Sequence, residues 1–107
     1  MELIDNKSAL MLLQTVRMRI AKLLLGEASP LYVEQIARRL EESPRLVAHH
    51  LELLEDFGFV ESRFEVIVPE GSKRKVAARF FKPTQKLKDV YEKLSKTIEI
   101  ERVELDR

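Results

Sequence analysis

Apolar residues along the chain follow two rhythms, and the change between them divides the sequence into elements. In the first quarter, Leu10, Leu13, Arg17, Ile20 and Leu24 lie near one helical stripe, which Leu12, Val16 and Leu23 widen. A helix apolar around so much of its circumference is either central to the fold or turns its first half toward a partner chain. Asp5, Asn6 and Ser8 are alternative N-caps, and Gly26 is placed as the left-handed residue just past the helix end. Gln14-Thr15 leaves two readings open, one long helix or two shorter ones. Ser29-Pro30 opens the next segment, and a helix is predicted over residues 32–40. Val33, Ile36, Ala37 and Leu40 face inward there, with Arg38 and Arg39 outward or to the side.

Glu41-Glu42 forms a short turn without the glycine often found at such turns. A third helix then spans residues 43–57. Ser43 is a good N-cap, and Pro44 suits the first turn, where its missing N–H is no loss. Val47, His50, Leu51 and Leu54 share one face; Arg45, Leu46, Ala48, His49 and Glu52 share the other. Gly58 sits where helices end in a left-handed residue.

After Phe59 the period falls to two. Val60, Ser62, Phe64, Val66 and Val68 alternate with Glu61, Arg63, Glu65 and Ile67. Pro69-Glu70-Gly71-Ser72 is turn chemistry, and a second strand returns over residues 75–82 with Val76, Ala78 and Phe80 on one side. Isolated hairpins are marginal in water, so the apolar face of this one is expected to pack on the helices. Thr84 caps a last helix after Pro83, in which Leu87, Tyr91, Leu94 and Ile98 form a short heptad-like seam with Val90 alongside. The end, IEIERVELDR, reads as either helix or strand.

Helix, tight turn, capped helix and strand is the order of a winged helix-turn-helix. The expected class is therefore mainly α (α+β), with a β-hairpin wing and a C-terminal dimerisation helix. Residues 1–83 form the domain and residues 84–107 an arm.

Composition narrows the function. Charged residues make up 35% of the chain, above the usual quarter, but they leave a net charge of only +1. Any basic surface must therefore be local. There is no cysteine, which rules out disulfides and thiolate metal sites. No apolar run approaches the roughly 20 residues needed to span a bilayer, and MELIDNK is no signal peptide. A soluble, cytoplasmic protein without membrane contact is expected. No Gly-rich phosphate loop, GxSxG or HExxH pattern is present, so no enzyme activity, catalytic residue or cofactor is assigned.

The segment VRMRIAKLLL (residues 16–25) resembles the RLRIL-type helix of ArsR-type winged-helix repressors, and YVEQIARRL (residues 32–40) resembles their second helix. SPRLVAHHLELLEDFGFVESR (residues 43–63) is similar to their SxxxVSxHLxxLxxAGLVxxx segment, matching at Ser43, Val47, His50, Leu51, Leu54 and Gly58. The likeness covers residues 16–83. Ala48 replaces the usual Ser, Tyr32 replaces a polar N-cap, and the wing is longer than the family minimum. The family's metal-sensing Cys, His and Asp residues are missing, so no metal ligand is carried over. The resemblance implies a homodimeric transcriptional regulator and leaves the effector unknown.

The expected DNA-binding residues are Ser43, Arg45, Leu46, Ala48 and His49 on the third helix, Arg63 on the wing strand, and Lys73, Arg74 and Lys75 at the wing tip. Arg45 suits a guanine edge or a phosphate; Leu46 and Ala48 suit a thymine methyl. The tip suits the sugar–phosphate backbone, with Arg79 extending the strip. The competing view is a solvated helix face and a solubilising loop. Glu41 and Glu42 would repel phosphate and are expected to point away. His49 and His50 point about 100° apart on a helix and cannot chelate one ion well; His50 is expected to be a hydrogen-bonded structural residue. Leu10, Leu13, Leu87, Tyr91, Leu94 and Ile98 are the expected dimer contacts. Two recognition helices about 34 Å apart would read an inverted repeat in double-stranded DNA. The competing function is a winged-helix module that binds proteins within a larger assembly.

Overall fold

The computed structural model describes residues 6–105, and side chains for residues 6–97. Asp5 as an N-cap therefore lies outside the described residues, and Ile98 lies outside the described side chains. The first apolar segment is two helices, α1 (Asn6–Leu12) and α2 (Thr15–Gly26). Gln14 separates them: its backbone is extended, and its side-chain oxygen accepts from the Arg17 N–H at 2.9 Å, capping α2. Ser8 lies buried inside α1 and does not start it. Gly26 is the last residue of α2, and the cap position falls to Glu27 in an extended conformation. The left-handed ending expected at Gly26 is absent, because the chain leaves directly into an extended connection that Pro30 favours.

A two-residue strand, β1 (Leu31–Tyr32), precedes α3 (Val33–Leu40). It was not anticipated, being too short to show a period. Leu31 is buried opposite Phe81, and the Tyr32 ring meets Phe80 edge-on with centroids 5.3 Å apart. Tyr32 then serves as N-cap of α3, its N–H donating to Gln35 Oε1 at 3.0 Å. Ile36 and Ala37 are buried. Glu41 takes the left-handed conformation (φ 56°, ψ 43°) that a glycine would adopt freely. It turns the chain into α4 (Pro44–Asp56), whose N-cap Ser43 accepts from the Leu46 N–H at 3.1 Å. At the other end Gly58 has φ 77°; the Phe59 N–H reaches Leu54 O and the Gly58 N–H reaches Glu55 O, each at 2.9 Å. This 6→1 and 5→2 pair closes the helix.

The strands β2 (Val60–Ile67) and β3 (Val76–Pro83) pair antiparallel from Val60↔Pro83 to Ile67↔Val76, giving the sheet order β1-β3-β2. At the base of this hairpin, Phe59, Val60 and Phe81 join the core with Ile20, Leu24, Ile36, Val47, Leu51 and Leu54. Farther out the expected packing of the apolar face fails. Phe64 is 71% exposed, Val66 69% and Val68 54%. A strand of 8 residues spans roughly 26 Å, and the helices cover only its base.

Helix α5 (Gln85–Leu105) settles the last segment as helix. Thr84 caps it, accepting from the Leu87 N–H at 3.3 Å and donating to Gly58 O at 2.7 Å. Leu87 and Val90 are buried, while Tyr91 and Leu94 are half-buried against the same core. Leu87 is thus a core residue of its own domain and has no surface to offer a partner, contrary to the dimer contact expected of it. The first turns of α5 are needed to close the core over α2 and α1. Among the described residues no helix is long and apolar enough to cross a membrane.

Candidate nucleic-acid interface

Helix α4 is two-sided in the folded chain. Val47, His50, Leu51 and Leu54 are buried, whereas Ser43, Arg45, Leu46, His49 and Glu52 are exposed and Ala48 is half-buried. The side chains expected to meet base edges therefore stand together on the outer face of its N-terminal half. His49 and His50 have ring centroids 5.5 Å apart but opposite environments, one exposed and one buried. His50 is buried as expected, but among the described residues its buried Nδ1 has no hydrogen-bond partner, nor has the buried Nε of Arg17. Burial, with the positive charges of Arg17 and His49 nearby, holds the His50 imidazole below its ordinary pKa; Glu42 opposes this in part.

Arg19 on α2 decides the fate of one acidic residue. Its guanidinium donates to Glu42 Oε1 at 3.0 Å and to Leu40 O at 2.6 Å. It thereby ties the turn to α2 and neutralises the carboxylate nearest the start of α4. Arg39 is similarly paired with Glu27.

The basic residues of the wing divide into spent and unspent charges. Arg79, expected to extend the cationic strip, is directed inward. It pairs with Glu55 on α4, its Nε donates to Ser62 Oγ at 2.8 Å, and its guanidinium lies 5.0 Å from the Phe81 ring centroid. Ser62 Oγ in turn donates to Glu55 Oε2 at 2.5 Å. This triad fastens the wing to the C-terminal half of α4. Arg63 pairs with Glu65 at 2.7 Å and Lys82 with Glu61 at 3.1 Å, both on the exposed surface. Lys73, Arg74 and Lys75 are exposed at the tip, and among the described residues neither they nor Arg45 has a carboxylate partner. The tip turn is set by Gly71 at φ 79° and by Ser72, whose N–H reaches Pro69 O at 3.0 Å and whose Oγ accepts from the Arg74 N–H at 3.1 Å.

A short first helix, a left-handed turn and a capped helix with one bare face followed by a hairpin are now all placed. The helix-turn-helix domain family matches residues 12–63, which run from the end of α1 into β2. Over residues 12–63 the chain is similar to helix-turn-helix domains. With its hairpin added, the chain has the winged helix-turn-helix fold. A solved structure described as a possible transcriptional regulator for arsenical resistance superposes with a TM-score of 0.63 over 98% of each chain, at 18% identity. No curated protein matches by sequence. The helix-turn-helix match and the shared fold agree with the ArsR-type resemblance of the sequence. Sequence reasoning missed Arg19, Glu55 and the inward turn of Arg79. No local signal carried them, since the ion-pair and carbonyl partners of the two arginines lie 21 to 24 residues away along the chain.

Proposed function

We propose that the protein is a sequence-specific DNA-binding transcriptional regulator that acts as a homodimer. The observation that carries the reading is the unspent outer face of α4: Arg45, Leu46 and His49 are exposed beside an N-cap, on a helix whose other face is locked into the core. Ser43 and Ala48 border that face. In this reading the N-terminal half of α4 enters the major groove, while Lys73, Arg74 and Lys75 lie along the backbone, with Arg63 farther up the wing. Arg63 shares its charge with Glu65, so its contribution is smaller than that of the tip. The helix-turn-helix match over residues 12–63 supports the reading. So does the likeness to the arsenical-resistance regulator's fold.

Leu10 and Leu13 supply the dimer contact. Leu10 on α1 is 71% exposed and Leu13, just past its end, 46%; α1 touches α5, which carries the half-buried Tyr91 and Leu94. Residues 84–107 then act as an arm only in their later turns, and the operator is an inverted repeat. The reading places the protein in the cytoplasm and assigns it no catalytic step.

Selection from random duplex DNA at two salt concentrations tests this. An enriched inverted repeat is expected. Arg45→Ala should weaken binding to it by roughly 5- to 150-fold, the equivalent of one lost base pairing, and relax its sequence preference. Lys73→Ala should weaken all sequences alike and lower the salt slope by about 1. No enrichment and no binding at low salt would refute the reading. It would also favour the alternative, a protein-binding winged helix, which draws on the exposed Phe64, Val66 and Val68.

A further inference from the structure

The edge of the wing, not its tip, carries an unassigned surface. Among the described residues β2 has β3 as its only sheet neighbour, so its outer backbone edge is unpaired. An open edge of this length is a template for another strand. Natural edges are usually guarded by proline, lysine or a bulge, and β2 holds none of these in its 8 residues, VESRFEVI. One of its faces continues the apolar row of the core into solvent through Phe64 and Val66. The other face alternates in charge: Glu61, Arg63, Glu65.

We propose that β2 pairs antiparallel with β2 of a second copy of this chain, about a twofold axis at Phe64. The charges select both the occupant and the register. Residues directly opposite each other in an antiparallel pair share a face and lie close enough to interact. With Phe64 opposite itself, Arg63 stands opposite Glu65 of the second copy, and twofold symmetry repeats the pairing, so the exposed Arg63–Glu65 pair of each chain joins its counterpart in one cluster of alternating charge. A shift of the axis to Arg63 or Glu65 sets like charges against each other and is disfavoured. An axis at Ser62 also matches opposite charges, but it would use a residue already held by Glu55 and Arg79. It would also set Phe64 against Val60, which is buried in its own core. The register at Phe64 instead brings together two exposed rings. The result is a continuous sheet running β1-β3-β2 into the second copy's β2-β3-β1. The contact is distinct from the one assigned to Leu10 and Leu13, so it joins dimers to one another, and it does not depend on DNA binding.

The full chain carrying Leu10→Asp and Leu13→Asp isolates this contact. Both side chains are exposed, so the fold is retained, which circular dichroism verifies. Sedimentation equilibrium should then still show concentration-dependent dimerisation. Adding Arg63→Glu or Glu65→Arg should weaken it by about tenfold, because symmetry applies each like-charge clash twice. Adding both together should restore it. A chain that stays monomeric at its highest soluble concentration would overturn the proposal. So would dimerisation indifferent to either single change, or weakened by both with no recovery in the combined variant.

Discussion

Cutting the link between the wing and α4 should cost stability through one measurable pair. Arg79 meets Glu55 and Ser62, and the two charged side chains are 32% and 29% exposed. A fully solvent-exposed pair contributes about 0.2–1 kcal/mol, and hydrogen bonds to charged groups about 1.5–3 kcal/mol when well shielded. A pair one-third exposed lies between, so Arg79→Ala should lower the unfolding free energy by about 1–2 kcal/mol. Part of that loss is the packing of the guanidinium on Phe81. Glu55→Ala should cost less, because Ser62 still accepts from Arg79. The double variant separates the terms: the coupling between Arg79 and Glu55 should be about 1 kcal/mol and should shrink in high salt. For a domain of this size each kcal/mol moves the melting temperature by roughly 4–8 °C. Thermal denaturation of the four proteins at one fixed concentration, in low and high salt, reads these values. A coupling below about 0.3 kcal/mol would refute the view that this triad, rather than the hairpin base alone, holds the wing on α4.

Glu41→Gly should raise stability by up to about 1 kcal/mol, since it relieves a left-handed non-glycine residue at φ 56°; chemical denaturation checks this. Ser43→Ala removes the acceptor for the Leu46 N–H and should cost about 1 kcal/mol in the same assay. For His50, burial lowers the folded-state pKa below 6.5, so the unfolded chain binds more protons between those two values. Its contribution is full above about pH 6.5 and is lost as pH falls through the lowered folded pKa. Melting temperatures should thus fall as the pH is lowered from about 6.5 through the depressed folded-state pKa, and His50→Leu should flatten that slope. An unchanged slope would place the loss on other groups.

Most of the architecture was legible because its signals are local. Ser43, Pro44 and Gly58 mark the ends of α4 through hydrogen bonds and backbone angles spanning a turn or less. Val47, His50, Leu51 and Leu54 declare its buried face by spacing alone. The switch from period 3.6 to period 2 after Phe59 located the wing, and the outer face holding Arg45, Leu46 and His49 followed as the complement of the buried one. The bare Lys73–Arg74–Lys75 tip was readable for the same reason, since three adjacent cations in a hairpin turn have no core to enter.

What only the tertiary structure decided is where each long side chain spends its charge and how far the core reaches. Arg79 and Arg63 look alike in a strand, yet Arg79 finds Glu55 across 24 residues of chain while Arg63 finds Glu65 beside it. Spacing cannot tell a seam for a partner from a seam for one's own domain, and Leu87 proved to be the latter. Periodicity said that Phe64 and Val66 continue the row begun by Val60. It could not say that the helices end first, because that depends on the length of the hairpin measured against the bodies packed at its base.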